Sequence, residues 1–194
     1  LPMDSHRGLS DLPNAAGYRL YDRFELVYEK GYHVTEACVL TKNNHPVSIF
    51  SKIHSSKEKN FTSNNDVTFS AMERGAALFG KATFAMDRGY DDNKMFLKLD
   101  ELQQDYVIRL TAKRKLFFHG KWVPATQLRN QRKGKIKTTL TYKGQKHEAC
   151  LSHVKVQITA SKKDIYLVLV YGITEHPMTV SYTHLRAHET RRHL

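Results

Sequence analysis

The sequence predicts an α/β fold in which helices pack on a mixed sheet and a basic, antiparallel β-rich segment follows. One observation is the short apolar run of residues 82–86, which ends at Asp87 and precedes apolar residues that recur at helical spacing after Asp92. The other is the loss of the helical period after residue 110, where alternating, strand-like runs take over. Strands separated by helices, followed by strands alone, are typical of a mixed sheet.

The N-terminal part of the chain predicts a short helix and a hairpin. A short apolar stub ends at Asp4, and the apolar positions within residues 18–27 indicate a short helix. Residues 31–41 and 46–54 are rich in strand-forming side chains and flank a polar turn, so they predict an antiparallel hairpin.

The middle of the chain predicts two helices and two strands. An apolar helical period, which Asn65 or Asp66 caps and Gly80 ends, predicts the first helix. After the strand that leads to the acidic motif, a second helix is predicted over residues 92–103, with Asp91 or Asp92 as its cap. A buried strand is predicted over residues 105–110.

Asp87 is the first candidate site residue, because it lies where a strand ends and a strand-to-helix turn begins. Open α/β sheets bind their ligands at the carboxyl ends of strands. The alternative is that Asp87 only shapes the turn, and the local pattern alone does not decide between the two.

Four strand-like runs make up the basic segment. They cover residues 116–123, 135–142, 148–160 and 164–171. The last run is the most apolar and is predicted to be a central strand. Because the segment predicts strands rather than an amphipathic helix, a membrane surface is not its expected partner.

The positive charge of the chain is concentrated in one segment. The formal net charge is +12, and residues 111–163 carry fourteen Lys and Arg against the single acid Glu148, which gives 14 − 1 = +13. A localised basic region is the electrostatic footprint of a polyanion partner, and we expect nucleic acid. The alternative is a basic surface that only water contacts.

The cysteines and the apolar runs indicate the compartment. Cys38 and Cys150 each lie in a strand-like run and suggest neither a disulfide framework nor a metal cluster, which fits a reducing, cytoplasmic compartment. No apolar run approaches the ~20 residues that span a bilayer, and no signal peptide is visible. We therefore expect no membrane partner.

Residues 179–194 are expected to be a non-native tail. From residue 180 onward the sequence resembles one reading frame of a sequencing adapter, so the natural chain is expected to stop near Met178 or Thr179. Residues 180–194 are accordingly predicted to make no contacts with the core of the protein.

Four segments of the chain carry a resemblance to a known family. They are Gly31-Tyr32-His33, the stretch from Phe84 to Asn93, the strand from Tyr106 to Leu110, and Leu169 to Gly172. The Asp-Arg-Gly-Tyr-Asp motif that begins at Asp87 is the most specific of these. With them, residues 31–178 resemble DDE transposases of the insertion-sequence-four family, a bacterial mobile-element group.

The resemblance implies a fold and a function. The fold is a ribonuclease-H-like catalytic core over residues 1–110, interrupted by a basic β-rich insertion over residues 111–178. The function is that of a DNA transposase fragment, which cleaves DNA and transfers strands in a metal-dependent reaction. The implied partners are transposon ends and target DNA in the bacterial nucleoid, with a homodimer expected for the full-length protein.

The resemblance also implies catalytic and metal-binding residues. Asp87 matches the second catalytic aspartate, and Asp4, which lies 87 − 4 = 83 residues earlier, is the best match for the first, with Asp11 in reserve. Both carboxylates would hold Mg²⁺ or Mn²⁺, since these hard ions prefer oxygen ligands. The catalytic glutamate of the family has no counterpart, so the fragment is expected to be inactive alone.

A set of basic side chains is predicted to contact the phosphates of DNA. They are Arg88, Lys113, Arg114, Lys115, Arg132, Lys133 and Lys135. Trp122 is expected to pack within the insertion rather than to stack on bases. Two other function classes stay open, namely a non-catalytic nucleic-acid-binding module and a stand-alone nuclease. The module would not require Asp4 and Asp87 to meet on adjacent strand ends.

Overall fold

The computed structural model describes residues 16–22, 25–159 and 163–183, and it shows a mixed α/β protein with more strand than helix. The chain divides into two compact units, residues 1–80 and residues 81–194. The boundary between these compact units lies at residue 80, whereas the predicted boundary between the core and the insertion lies after residue 110.

In its described residues, the first unit contains two hairpins and a helix. They are β1 (Ala16–Asp22), β2 (Glu25–Gly31), β3 (His33–Leu40), β4 (Pro46–His54) and α1 (Asn64–Phe79). Strand β1 pairs with β2, and β3 pairs with β4, both antiparallel. The β3–β4 hairpin confirms the prediction for residues 31–54.

The short helix predicted within residues 18–27 is wrong, because β1 and β2 occupy this part of the chain. Tyr18 and Leu20 are two residues apart, as are Leu26 and Tyr28, and this spacing equals the side-chain period of a strand. The same apolar set satisfies a helical spacing only loosely, so pairing between the two segments decides the structure.

Ser63 caps helix α1, two residues before Asn65 and three before Asp66, the two caps that the sequence predicted. The Ser63 hydroxyl oxygen accepts the backbone N–H of Asp66 at 3.2 Å, and the hydroxyl donates to the Asp66 carboxylate at 2.8 Å. This reciprocal arrangement satisfies one of the free N–H groups at the helix start. Gly80 ends the helix as predicted, at φ +66°, a conformation that glycine adopts without steric cost.

The second unit holds the large sheet. Its elements are β5 (Thr83–Met86), α2 (Asn93–Glu101), β6 (Asp105–Arg109), β7 (Lys115–Phe118), β8 (Lys121–Pro124), α3 (Ala125–Gln131), β9 (Ile136–Tyr142), β10 (Gln145–Ile158), β11 (Asp164–Tyr171) and β12 (Met178–Tyr182). The described strands form one sheet of order β5-β6-β12-β11-β10-β7-β8, with β9 also paired to β10. Strands β5 and β6 are parallel, and the other pairs are antiparallel.

Most of these elements follow the sequence prediction. Strand β5 ends just before Asp87, Asp92 caps α2, and β11 lies centrally in the sheet. Helix α3 was not predicted, because it follows Pro124 and has only two buried apolar residues, Ala125 and Leu128, at the spacing of one turn. Two turns are too short to produce a clear helical period within a β-rich segment.

Strand β12 corrects the expectation that residues 180–194 make no core contacts. It lies between β6 and β11, and the side chains of Thr179 and Ser181 are buried. The Ser181 hydroxyl donates to the backbone oxygen of Ile108 at 3.0 Å. Residues 178–182 alternate small polar and apolar side chains, which suits a strand inside a sheet. Residues 184–194 lie outside the described residues.

The core of the second unit lies on one face of this sheet. Side chains from neighbouring strands, including Tyr106, Ile108, Leu167 and Leu169, are fully buried there. Phe96 of α2 meets Tyr106 edge-on, with ring centroids 5.4 Å apart, so α2 helps to cover this face.

Helices in the described part of the chain are too short or too polar to cross a bilayer.

Candidate functional site

Asp87 occupies the position that the sequence predicted for it, at the carboxyl end of β5. Its Oδ1 accepts the backbone N–H of Gly89 at 2.8 Å, and this bond starts a single 3₁₀ turn over Arg88–Tyr90. A Cβ at Gly89 would lie 3.0 Å from the same oxygen, so the turn favours glycine. The residue is exposed, and within the described residues its second oxygen has no hydrogen-bond partner.

Asp91 ends the same turn, but its carboxylate is fully buried. One oxygen accepts the backbone N–H of Thr111 at 2.7 Å and its hydroxyl at 2.8 Å, and the other accepts Nε of Arg114 at 2.7 Å. Asp91 therefore connects the turn after β5 to the loop after β6. We name residues 87–93 the acidic turn.

Arg114 is held by the acidic turn on several sides. Its guanidinium also donates to the backbone oxygen of Asp91 at 2.8 Å and to Oδ1 of Asn93 at 2.5 Å, and it lies 5.3 Å from the ring centroid of Phe96. Only 10% of the Arg114 side chain is exposed. Most donors of Arg114 are therefore used within the protein, and its contact with phosphate stays a prediction.

Asp92 is also committed to the fold. Its Oδ1 accepts the backbone N–H of Lys94 at 2.7 Å and caps helix α2. Asp87 and Asp92 are both exposed, and each keeps a second carboxylate oxygen without a partner in the described part of the chain, whereas both oxygens of the buried Asp91 are used. Of the two, Asp87 lies directly at the carboxyl end of β5. A hard divalent cation binds to such an oxygen.

The other predicted carboxylates cannot be compared with Asp87, since Asp4 and Asp11 lie outside the described residues. In residues 16–22, 25–159 and 163–183, no cluster of three His, Cys, Asp or Glu side chains is arranged to hold a metal. Of the two predicted metal ligands, only Asp87 lies in the described residues, and both its binding of Mg²⁺ or Mn²⁺ and its pairing with Asp4 stay predictions.

The remaining basic residues of the predicted DNA-binding set differ in exposure. Arg88, Lys113, Lys115, Lys133 and Lys135 are exposed. Lys113 lies in the loop that Asp91 and Arg114 fix, close in sequence to the carboxyl end of β6.

Arg132 is half-buried, with its guanidinium 5.4 Å from the ring centroid of Phe118. Trp122 packs against Phe117 with ring centroids 5.2 Å apart and keeps 50% of its surface exposed.

Sequence reasoning did not single out the lysines of strands β9 and β10. Lys137, Lys143 and Lys146 are exposed and have no ion pair with another described residue. Their net positive charge was visible in the sequence, but their common location on one hairpin follows only from the pairing of β9 with β10.

A scan of the chain against models of protein families finds no match, and a search of characterised proteins finds no significant similarity. The resemblance to DDE transposases is therefore carried by the motifs of this chain alone.

Proposed function

We propose that the chain is part of a DDE-type DNA transposase and that Asp87 is one of the carboxylates that hold its catalytic metal ions. The observation that carries this proposal is the exposed second oxygen of Asp87 directly at the carboxyl end of β5, the edge at which α/β sheets bind their ligands. The parallel pair β5–β6 within an otherwise antiparallel sheet is compatible with a ribonuclease-H-like core.

Each residue of the acidic turn has a separate part in this proposal. The Gly89 N–H holds one oxygen of Asp87 and so fixes the direction of the other. The buried pair of Asp91 and Arg114 holds the turn against the loop after β6. Mg²⁺ or Mn²⁺, when bound by Asp87 and the predicted Asp4, would stabilise the attacking and leaving oxygens of phosphodiester cleavage.

The test uses Mn²⁺ as the probe, because a bound paramagnetic ion broadens the NMR signals of nearby amides. Titration of the chain with Mn²⁺ should broaden the Gly89 amide first, and Asp87→Asn should remove this effect. Asp92→Ser is the matched control, since serine also caps a helix while one carboxylate of the turn is removed. If broadening persists in Asp87→Asn and disappears in Asp92→Ser, Asp87 is not the metal ligand.

A second function is favoured by a different observation, the exposed lysines of the basic segment. Lys113, Lys115, Lys133 and Lys135 are exposed and have no ion pair with another described residue, as expected for a surface that neutralises phosphates. The chain would then be a nucleic-acid-binding module without catalysis. Salt-dependent DNA binding, without any Asp87-dependent Mn²⁺ effect, would favour this module over the transposase.

A further inference from the structure

Strands β9 and β10 form a narrow ribbon at one side of the large sheet. Strand β11 pairs with β10 from Cys150 to Gln157, whereas β10 pairs from Gln145 to Ala149 with β9 alone among the described strands. We name β9 and residues 145–149 the ribbon. In the part of the ribbon between Glu148 and the turn, no other described strand pairs with β9 or β10.

The ribbon ends in a two-residue hairpin turn. Tyr142 pairs with Gln145, so only Lys143 and Gly144 form the loop. Both have positive φ, 51° and 77°, which is typical of the two-residue turns that follow the natural twist of paired strands. The ribbon therefore ends in a single exposed lysine rather than in a broad loop.

One face of the ribbon is polar and basic. Lys137, Thr139 and Thr141 of β9 are exposed, and Lys146 and Glu148 of β10 lie opposite the two threonines. The other face packs Tyr142 against His147, with ring centroids 6.2 Å apart. The two faces therefore differ in polarity. The exposed polar face suits a polar partner, whereas the aromatic face contacts other side chains of the protein.

We propose that the ribbon enters the major groove of double-stranded DNA, with Lys137, Lys143 and Lys146 supplying its positive charge. This rests on the proposed function for DNA as the partner. Two strands about 4.8 Å apart, with their side chains, fit a major groove about 12 Å wide but not a minor groove about 6 Å wide.

The chemistry of the exposed face suits base edges as well as phosphates. A lysine donates to guanine O6 and N7, a threonine methyl contacts the thymine methyl, and a carboxylate accepts from cytosine N4. Glu148 would repel a phosphate, so its place on this face favours contact with bases over contact with the backbone alone. The ribbon thus differs from a surface that only neutralises phosphates.

The test titrates the whole chain with three nucleic acids of one mixed sequence. They are a DNA duplex, the same duplex with a C5-linked glucose on each cytosine, and double-stranded RNA. The glucose fills the major groove of DNA, and the major groove of RNA is too deep and narrow for a ribbon. We expect the plain duplex to bind tightest and the glucosylated duplex about tenfold more weakly.

The triple substitution Lys137→Ala, Lys143→Ala and Lys146→Ala should weaken binding to the plain duplex and abolish its advantage over the glucosylated one. It should also reduce the salt slope by up to about three units. The matched control replaces Lys52, Lys57 and Lys59, which are exposed lysines of the first unit, with alanine. This control changes the net charge equally and should retain the preference for the plain duplex.

The outcomes separate the two proposals. If the parent chain binds no DNA, DNA is not the partner and the proposed function fails with the ribbon. If the parent binds DNA but the ribbon variant keeps the full preference for the plain duplex, only the groove proposal fails. Binding of double-stranded RNA that is as tight as that of the plain duplex and depends equally on the ribbon lysines would also overturn the groove proposal. Lys143→Ala alone repeats the test should the triple variant lose thermal stability.

Discussion

The acidic turn and the ribbon are two charged regions of the second unit, and they differ in whether their charged side chains are paired within the protein or exposed to solvent. In the acidic turn, Arg114 and Asp91 neutralise each other in a buried pair. In the ribbon, Lys137, Lys143 and Lys146 stay exposed, with no ion pair to another described residue. A basic residue beside a candidate site can therefore stabilise the fold instead of binding a partner, and the burial of its side chain distinguishes the two roles.

The largest expected effect comes from breaking the buried pair. Arg114→Met should leave the Asp91 carboxylate buried without its charged partner and should destabilise the second unit by about 3–5 kcal/mol. The neighbouring Lys113→Met, which changes an exposed side chain, should stay within about 0.5 kcal/mol of the parent. Thermal unfolding followed by circular dichroism measures both.

If Asp91 and Arg114 stabilise the fold as a pair, the losses of stability from substituting each residue do not add. Asp91→Asn combined with Arg114→Met should then cost clearly less than the sum of the single substitutions. Equal stability of Arg114→Met and Lys113→Met would place Arg114 with the solvent-exposed charges after all.

A smaller effect is expected at the root of the ribbon. A Cβ at Gly134 would lie 2.7 Å from the carbonyl carbon of Cys150 and 2.9 Å from its oxygen, so Gly134→Ala must push β9 away from β10. We expect a loss of about 1–3 kcal/mol from this overpacking. Denaturant unfolding measures it.

Gly144→Ala is the comparison variant, since its Cβ would meet no atom within 4 Å and only its positive φ is unfavourable. It should cost about 1 kcal/mol. A larger loss for Gly144→Ala than for Gly134→Ala would mean that the tip, not the root, holds the ribbon in place.

His54 of the first unit is a buried titratable side chain that forms no ion pair with another described residue, so it extends the comparison between buried and exposed charges. The His54 ring is stacked between His33 and Phe61, its Nε2 lies 2.9 Å from the Thr35 hydroxyl oxygen, and its Nδ1 has no partner among the described residues. Burial lowers the pKa of His54, as do the positive charges of His33 and Lys52, while Glu58 opposes this.

Because the folded state favours the neutral ring, the unfolded chain binds more protons below about pH 6.5. The stability of the first unit should therefore fall as the pH drops below this value. His54→Gln should make the decline shallower, and His33, whose pKa is also lowered by burial, contributes in the same direction. Urea unfolding at several pH values measures this, and a steeper decline in His54→Gln would contradict the assignment.

The smallest effect on stability, and a clear one on binding, is expected from Lys113 and Lys115. Replacing both with alanine should leave the melting temperature unchanged and reduce the salt slope of DNA binding by up to about two units. Arg114 contributes nothing to this number, since its guanidinium is used within the acidic turn. A reduction by three units on adding Arg114→Gln, measured at a temperature at which this variant is folded, would show that Arg114 also reaches phosphate.

Local patterns predicted the elements whose contacts are local. Gly80 and Asp92 end and begin helices through groups a few residues away, and the run before Asp87 is short and bounded, so each is visible in a few residues. The place of Asp87 at a strand end followed from the same pattern. The local pattern did not predict that β1 and β2 are strands, because the spacing of their apolar residues fits both the period of a helix and that of a strand.

Pairing over long distances decided what local patterns could not. Residues 178–182 had no local cue for a position between β6 and β11, and their unusual sequence indicated a tail instead. Arg114 and Lys113 are adjacent and basic, and only the approach of Asp91 separates their roles. The ribbon could not be predicted from local patterns either, because it follows from the pairing of β9 with the part of β10 that β11 does not reach.

The place of β12 in the sheet sets an order of events during synthesis. Ser181 bonds to Ile108, which lies 73 residues earlier, so β6 cannot gain its second neighbour until this part of the chain has left the ribosome. At about 5–20 residues per second, β5 and β6 wait for roughly 4–15 s with an open edge. We expect the nascent second unit to bind chaperones or to pair wrongly in this interval, which makes the arrival of β12 a slow step of its folding.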